Sequence, residues 1–297
     1  MSSDTPATIV TPQLLREWGL PDGGDSKYSR GQVLVAGGAA RSPGATMLAG
    51  AGALRVGAGR LTVAVAESVA AHVAVALPES GVIPLPESHS GGLDGRAAGR
   101  MLAPEISNAD AALIGPGLDD IDETVALLDA LFEDFESQQD DPVMVLDAFA
   151  LGALARRPEL RDRMPARLVL TPNPGEAAAL LGRDPDDLGA DTVEIARAFR
   201  ASVACQGFIA DPGGALWQIG TGASGLGTSG SGDVLAGAAA GFCARGVPPD
   251  RAAVWASYAH AVAGDRLAVQ VGPLGYLAGE LLFELPRVLV EIGAGTR

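Results

Sequence analysis

Short runs that are apolar at consecutive positions recur along this chain, and each is separated from the next by a stretch with helical spacing. The clearest are QVLVAGG at 32–38, RLTVAVA at 60–66, DAALIG at 110–115, PVMVLDA at 142–148 and RLVLTP at 167–172, with a weaker pair at SVAC and ALWQI near 202–219. Strands buried on both faces read this way, and both faces are buried when helices cover a parallel sheet. Between the runs lie GATMLAGAGALRVGAG, DETVALLDALFEDF and DTVEIARAFRAS, the last two opening on Asp122 and Asp191 as expected N-caps. Alternation of this kind predicts an α/β fold, a three-layer sandwich with a mostly parallel central sheet. The last 50 residues predict two helices on one face of that sheet. The acidic segments at 137–141 and 183–191 are expected as solvated loops inside one domain spanning 1–297, with residues 1–26 as an extension packed on the domain or on a partner subunit.

Bulk properties exclude several classes of function. Hydrophobic residues make up 47% of the 297, ample for a large core, yet no apolar run is long enough to cross a bilayer and the start MSSDTPATIV lacks a basic, apolar leader. The expectation is a soluble, cytoplasmic protein. A formal charge of −15 argues against nucleic acid or an anionic membrane as partner. Cys205 and Cys243 stand far apart in apolar surroundings, and His72, His89 and His260 are equally scattered, so buried free thiols are expected and neither a zinc site nor a Cys/His pair.

Ligands of such sheets bind outside the carboxyl ends of the strands, and the glycine clusters fall there. GGAARSPGA follows the first strand run, GPGLDD the third, TPNPGE the fifth, and GLGTSGSGDVLAGAAAGFCARG begins at 225 after ALWQIG. Glycines at 225, 227, 230 and 232 let backbone approach a ligand closely, and a helix beginning near Asp233 adds free amides and a positive dipole end, a seat for phosphate oxygens. Asp233 beside such an anion hole is placed to take a proton from an attacking hydroxyl during phosphoryl transfer. A plain N-cap is the alternative for Asp233. Glu176 and Asp147 carry the same double reading: a first-turn acid or helix cap, or a carboxylate facing the cleft.

The chain resembles the ADP/ATP-dependent NAD(P)H-hydrate dehydratases of the ribokinase-like superfamily. The likeness runs from about Lys27 to Leu289 and includes K-x(3)-G-x-V-L-V-x-G-G at 27–38, PGA and ALRVGAG within 43–59, GPGL at 115–118, VLDAFAL at 145–151, LTPNPGE at 170–176, GSGDVLAG at 230–237, HAVAGD at 260–265 and LAGELLFELPRVL at 277–289. The resemblance implies that a hydrated nicotinamide nucleotide (NADHX or NADPHX) is phosphorylated on its ring hydroxyl from ADP or ATP and then loses phosphate, restoring NADH or NADPH. It implies a substrate site at Ala45, Gly117, Asn173 and Asp233, with Asp233 as base, and a nucleotide site at Gln206, Gly207, Gly230, Ser231 and Gly232. It also implies a homo-oligomer, often a tetramer.

Some positions depart from the family pattern: Asn173 stands for a histidine, Phe149 for an aspartate, Gln206 for a phosphate-binding lysine, and Ala223 and Ser224 for an asparagine and a proline. Asn173 with Glu176 forms N-x-x-E, which resembles the motif by which sugar and vitamin kinases of the superfamily organise Mg²⁺ and its waters; one carboxylate suffices for an ion that keeps its waters. Three readings stay open on sequence: the dehydratase, a small-molecule kinase releasing a phosphate ester, and a nucleotide-binding protein whose catalysis has lapsed.

Overall fold

A computed structural model describes residues 6–88, 92–133, 141–163, 165–222 and 224–293. The strands are β1 (Thr8–Ile9), β2 (Gln32–Ala36), β3 (Arg60–Ala66), β4 (Ser80–Leu85), β5 (Ala111–Ile114), β6 (Val143–Leu146), β7 (Leu168–Leu170), β8 (Ser202–Cys205), β9 (Phe208–Ala210) and β10 (Leu216–Gln218). The helices are α1 (Pro12–Trp18), α2 (Pro43–Arg55), α3 (Glu67–Ala76), α4 (Gly95–Ile106), α5 (Ile121–Leu131), α6 (Phe149–Arg156), α7 (Pro174–Leu181), α8 (Leu188–Phe199), α9 (Ser231–Ala244), α10 (Pro249–Gln270) and α11 (Ala278–Ile292). The strands form one ten-stranded sheet in the order β1-β10-β9-β8-β7-β6-β5-β2-β3-β4. Pairing is parallel from β4 through β8, and β9 runs antiparallel to both β8 and β10.

Alternate residues along each strand feed two separate cores. Val33, Val35, Val143, Val145 and Val169 join the layer built by α2, α9, α10 and α11. Leu34, Ala36, Met144, Leu146, Leu168 and Leu170 join the layer of α4 to α8. This is the expected three-layer sandwich, with the two C-terminal helices on one face. Of the N-terminal extension, β1 pairs with β10 and Leu15 of α1 is fully buried.

Beyond its first turn, helix α9 is apolar because it is covered on nearly every side. It crosses α2 on small residues, and a Cβ built at Gly237 would lie 1.9 Å from the Ala49 carbonyl oxygen. Helix backbones this close leave no room for a methyl group. Gly237→Ala is expected to lower stability by about 2–3 kcal/mol, read as a reduced midpoint in urea unfolding.

Some expectations shift. The helix caps sit before the anticipated aspartates: Asp120 caps α5 and Asp187 caps α8. Asp191 is instead buried in the first turn of α8, where it pairs with Arg183 at 2.6 Å, so the solvated loop ends at 187. The segment at 137–140, His89 and Ala223 lie outside the described residues.

Candidate active site at the carboxyl edge of the sheet

Strand β2 pairs with both β3 and β5, so chain order reverses between β2 and β5 and the loops leaving these two strands part to opposite faces. They are stitched together where they leave the sheet: Gly38 donates its N–H to the Pro116 carbonyl at 2.8 Å, and Ala39 to the Gly117 carbonyl at 2.8 Å. Ser42 adds its hydroxyl to the same Gly117 carbonyl at 2.9 Å. A Cβ placed on Gly117 would meet the Ala45 methyl at 3.1 Å, so these two expected substrate residues are neighbours. Gly115, at φ +127, packs so closely that a Cβ would lie 1.9 Å from the Asp147 carbonyl oxygen. That turn must be glycine on both counts.

Three carboxylates meet at this edge. Asp147 follows β6, is 6% exposed and accepts a hydrogen bond from the Thr171 hydroxyl at 2.7 Å. Burial, together with the charges of Glu176 and Asp233, pushes its pKa up to about 7 against the pull of Thr171. Asp233 lies in the first turn of α9 and is half-buried; burial first, then the charge of Glu176, raise it to about 6. Glu176 is raised by burial and partly restored by the Asn173 backbone N–H. Carboxylates held this way sit in a negative, poorly hydrated pocket that favours a cation or a proton.

Asn173 and Glu176 form a reciprocal cap on α7: Asn173 Oδ1 accepts from the Glu176 amide at 3.0 Å, and Glu176 Oε2 accepts from the Asn173 amide at 2.9 Å. Glu176 is therefore both the first-turn acid and a cleft carboxylate. Asp147 does not cap α6 through its side chain; Ala148 occupies that position at φ 52 and ψ −121, a strained conformation for alanine. Phe149 follows it, 38% exposed at the rim.

Helix α9 starts at Ser231 with Gly230 as its cap at φ 87, so Asp233 is not the N-cap and its carboxylate is free of that duty. A Cβ on Gly232 would find nothing within 4 Å, so the start of α9 is open at Gly232, while the Ser231 amide already donates to the Thr228 carbonyl at 3.2 Å. Gln206 and Gly207 form the β8–β9 turn, both at positive φ, with Gln206 exposed. No hydrogen bond joins Gln206 to Asp233 among the described residues. The turn nevertheless feels the cleft: burial and then the Glu176 charge push the adjacent Cys205 thiol up to about 12. Cys205 and Cys243 are both buried and free. His260 is buried, with Nε2 at 2.9 Å from the Ser231 hydroxyl and 3.0 Å from the Ser231 carbonyl, and burial lowers its pKa to about 4. It is packed and hydrogen-bonded.

A cavity of about 500 Å³ lined by Arg100, Pro104, Phe132 and Met144 lies at the other end of the sheet, where β6 begins, and carries none of these residues. Among the described residues no three His, Cys, Asp or Glu side chains are grouped to ligate a metal directly, and no helix is long and apolar enough to cross a membrane. The carboxylate trio still fits Mg²⁺ held through its own waters, since that ion dehydrates reluctantly and asks for few protein oxygens.

The architecture is that of the ribokinase-like proteins: ribokinase of Arabidopsis thaliana, solved with ribose and ATP, superposes with a TM-score of 0.56 over 91% of this chain and 99% of that one at 13% identity, a likeness of fold alone. Within that class, a family model described as NAD(P)H-hydrate dehydratase matches residues 33–287, and the chain belongs to that family. It is 44% identical over 293 residues to the ADP-dependent (S)-NAD(P)H-hydrate dehydratase of Xanthomonas campestris pv. campestris, covering 96% of this chain and 97% of the relative. The solved ADP/ATP-dependent NAD(P)H-hydrate dehydratase of Bacillus subtilis, co-crystallised with ATP/Mg²⁺, superposes with a TM-score of 0.80 at 28% identity, covering 97% of this chain and 99% of that one.

Proposed function

We propose that the protein repairs hydrated NADH and NADPH by nucleotide-driven dehydration. The observation that carries this reading is Asp233: a half-buried carboxylate raised to about 6, in the first turn of a helix whose start is open at Gly232. The ring hydroxyl of the substrate gives its proton to Asp233 as its oxygen attacks the terminal phosphorus of the nucleotide. AMP leaves from ADP, or ADP from ATP, and the amides of Gly230 and Gly232, with the positive end of the α9 dipole, steady the charge on the transferring group. The ring nitrogen then expels inorganic phosphate, and loss of a ring proton restores the dihydropyridine. Ala45, Gly117 and Asn173 surround the nicotinamide, and Gln206 and Gly207 take the AMP portion of the nucleotide. Glu176, with Asp147 behind it, would hold the waters of a Mg²⁺ ion, which would supply positive charge to the nucleotide's phosphates.

Family membership and 44% identity to a dehydratase along nearly the whole chain favour this reading over the small-molecule kinase. That relative uses ADP by its name, and Gln206 in place of a lysine leaves less positive charge for a third phosphate, so ADP is the preferred donor here. A cytoplasmic setting and a homo-oligomeric, tetrameric assembly complete the proposal. The test is to incubate the protein with hydrated NADH, Mg²⁺ and ADP or ATP. Dihydropyridine absorbance should return, faster with ADP. Absence of recovery with both nucleotides, alongside ATP consumption stimulated by an alcohol, would replace the reading with the kinase.

A further inference from the structure

The segment HAVAGD at 260–265 lies within α10, 29 or more residues from the loop it touches, and none of its side chains has a part in the chemistry above. The structure brings it against the entry, middle and exit of the glycine-rich loop that leads from Thr221 to Ser231. At the loop's entry, Asp265 Oδ2 accepts from the Gly222 amide at 3.1 Å and, at short range, from the Thr221 hydroxyl. At its middle, Leu226 rests on Gly264, where a Cβ would come within 2.7 Å of the leucine side chain. At its exit, His260 holds Ser231 through both hydroxyl and carbonyl. The other side of the loop is closed by the α10–α11 connection: a Cβ on Gly225 would lie 2.5 Å from the Tyr276 ring and 2.6 Å from the Pro273 carbonyl oxygen. The loop is thus clamped between α10 and residues 273–276.

A clamp matters here because the loop cannot hold itself. Four glycines in the eight positions 225–232 give it large conformational freedom, and a loose loop must be ordered by its ligand at the expense of affinity. Amides that stabilise a transferring phosphoryl group must already be aimed when the nucleotide arrives. Of the three pins, Asp265 is the one that acts on the loop's solvent-exposed end, since Thr221 and Gly222 are both exposed while Ser231 is buried.

We propose that Asp265 is a positioning residue of the nucleotide site, fixing the entry of the loop that leads from Thr221 to Ser231 so that the Gly230 and Gly232 amides at the start of α9 are held in place for phosphate. The proposal rests on reading those amides as the phosphate seat. Asp265→Ala is expected to weaken ADP binding about tenfold by calorimetry and to lower kcat about tenfold, while KM for hydrated NADH stays within about twofold, because the substrate loops at 38–45 and 115–117 are untouched. Asp265→Asn keeps an acceptor oxygen for Thr221 and Gly222 and should recover most of the ADP affinity. Hydrogen exchange at 221–231 should quicken in the alanine variant and slow again with ADP. Thr221→Val removes one of the two bonds without altering α10; a rise of about threefold in the ADP dissociation constant supports the same role if Asp265→Ala fails to fold. Wild-type ADP affinity in Asp265→Ala or in Thr221→Val would overturn the proposal. Wild-type protein that binds ADP without restoring the dihydropyridine would sink the dehydratase reading and leave the role of Asp265 open to the ADP measurement.

Discussion

Asp233→Asn is expected to lower kcat by about 10²–10⁴ while ADP binds within a few fold of wild type. The substitution preserves size and leaves the α9 amides in place, so the proposed anion hole survives; what goes is the group proposed to accept the ring hydroxyl proton. Single-turnover measurements with hydrated NADH and ADP separate the two, since the phosphorylation step should slow by the same factor as kcat. The pH profile gives a second handle. Burial and the Glu176 charge raise Asp233 to about 6, so it is mostly ionised at neutral pH and becomes protonated below that value. Wild-type kcat/KM should therefore fall as pH drops through about 6, with the limb belonging to the coupled carboxylates and not to one residue alone. In Asp233→Asn the remaining activity should lose that limb. Turnover above about a tenth of wild type in the asparagine variant would remove Asp233 from the role of base.

How far the sequence reveals this site depends on how local the signal is. The central strands were legible because burial on both faces leaves unbroken apolar runs, and the runs at 32–38, 60–66, 110–115, 142–148 and 167–172 each contain an observed strand. Strand β4 was not foreseen: it is an edge strand reading SGVIPL, and its Gly81 and Pro84 are tolerated only because one side of the strand has no partner. Strand β9 was hidden inside FIADPGG, since three residues paired on both sides carry no period of their own. Acid-rich helix starts such as DDIDE offer several potential caps, and only backbone geometry selects Asp120 over Asp122.

The same division holds for the chemistry. Asp233 and Glu176 stand in turn-to-helix motifs that are readable along the chain, and both lie in the first turn of their helices. The depth of Asp147 is not, because a carboxylate at a strand end looks identical in sequence whether it is solvated or 6% exposed, and its partner Thr171 is 24 residues away. The strain at Ala148 is equally silent, since alanine gives no hint of a positive φ. HAVAGD was visible as a motif, but its service to the 221–231 loop spans as many as 44 residues and emerges only when α10 is laid beside that loop.

Asp147→Asn should stabilise the protein at pH 8 and do almost nothing for it at pH 4. In the folded state Asp147 titrates near 7, against 3.8 for an ordinary aspartate, so folding there favours the protonated form. Above about pH 8 the carboxylate is ionised in both folded and unfolded chains, and the folded one bears the full cost of burying a charge beside Glu176 and Asp233, about 4 kcal/mol for a shift of this size. As pH falls from 7 toward 4 the native state takes up the proton first, and the penalty disappears. His260 works in the opposite sense: its folded pKa of about 4 lies below the usual 6.5, so the unfolded chain binds that proton first and stability drops between 6.5 and 4. Comparing wild type with Asp147→Asn at each pH cancels the histidine and isolates the aspartate. Urea unfolding at pH 8 should show the variant more stable by about 2–4 kcal/mol, reduced from the full figure because the new amide N–H₂ must find acceptors. A gain that is the same at pH 4 and pH 8 would mean the carboxylate is not ionised against its surroundings as described. On the proposed function the variant should also lose turnover, because the buried charge that weakens the fold is the one that would, behind Glu176, help hold a hydrated Mg²⁺. A carboxylate kept at such a cost, next to a strained Ala148 and a glycine that admits no substitute, is what a site selected for chemistry over stability retains.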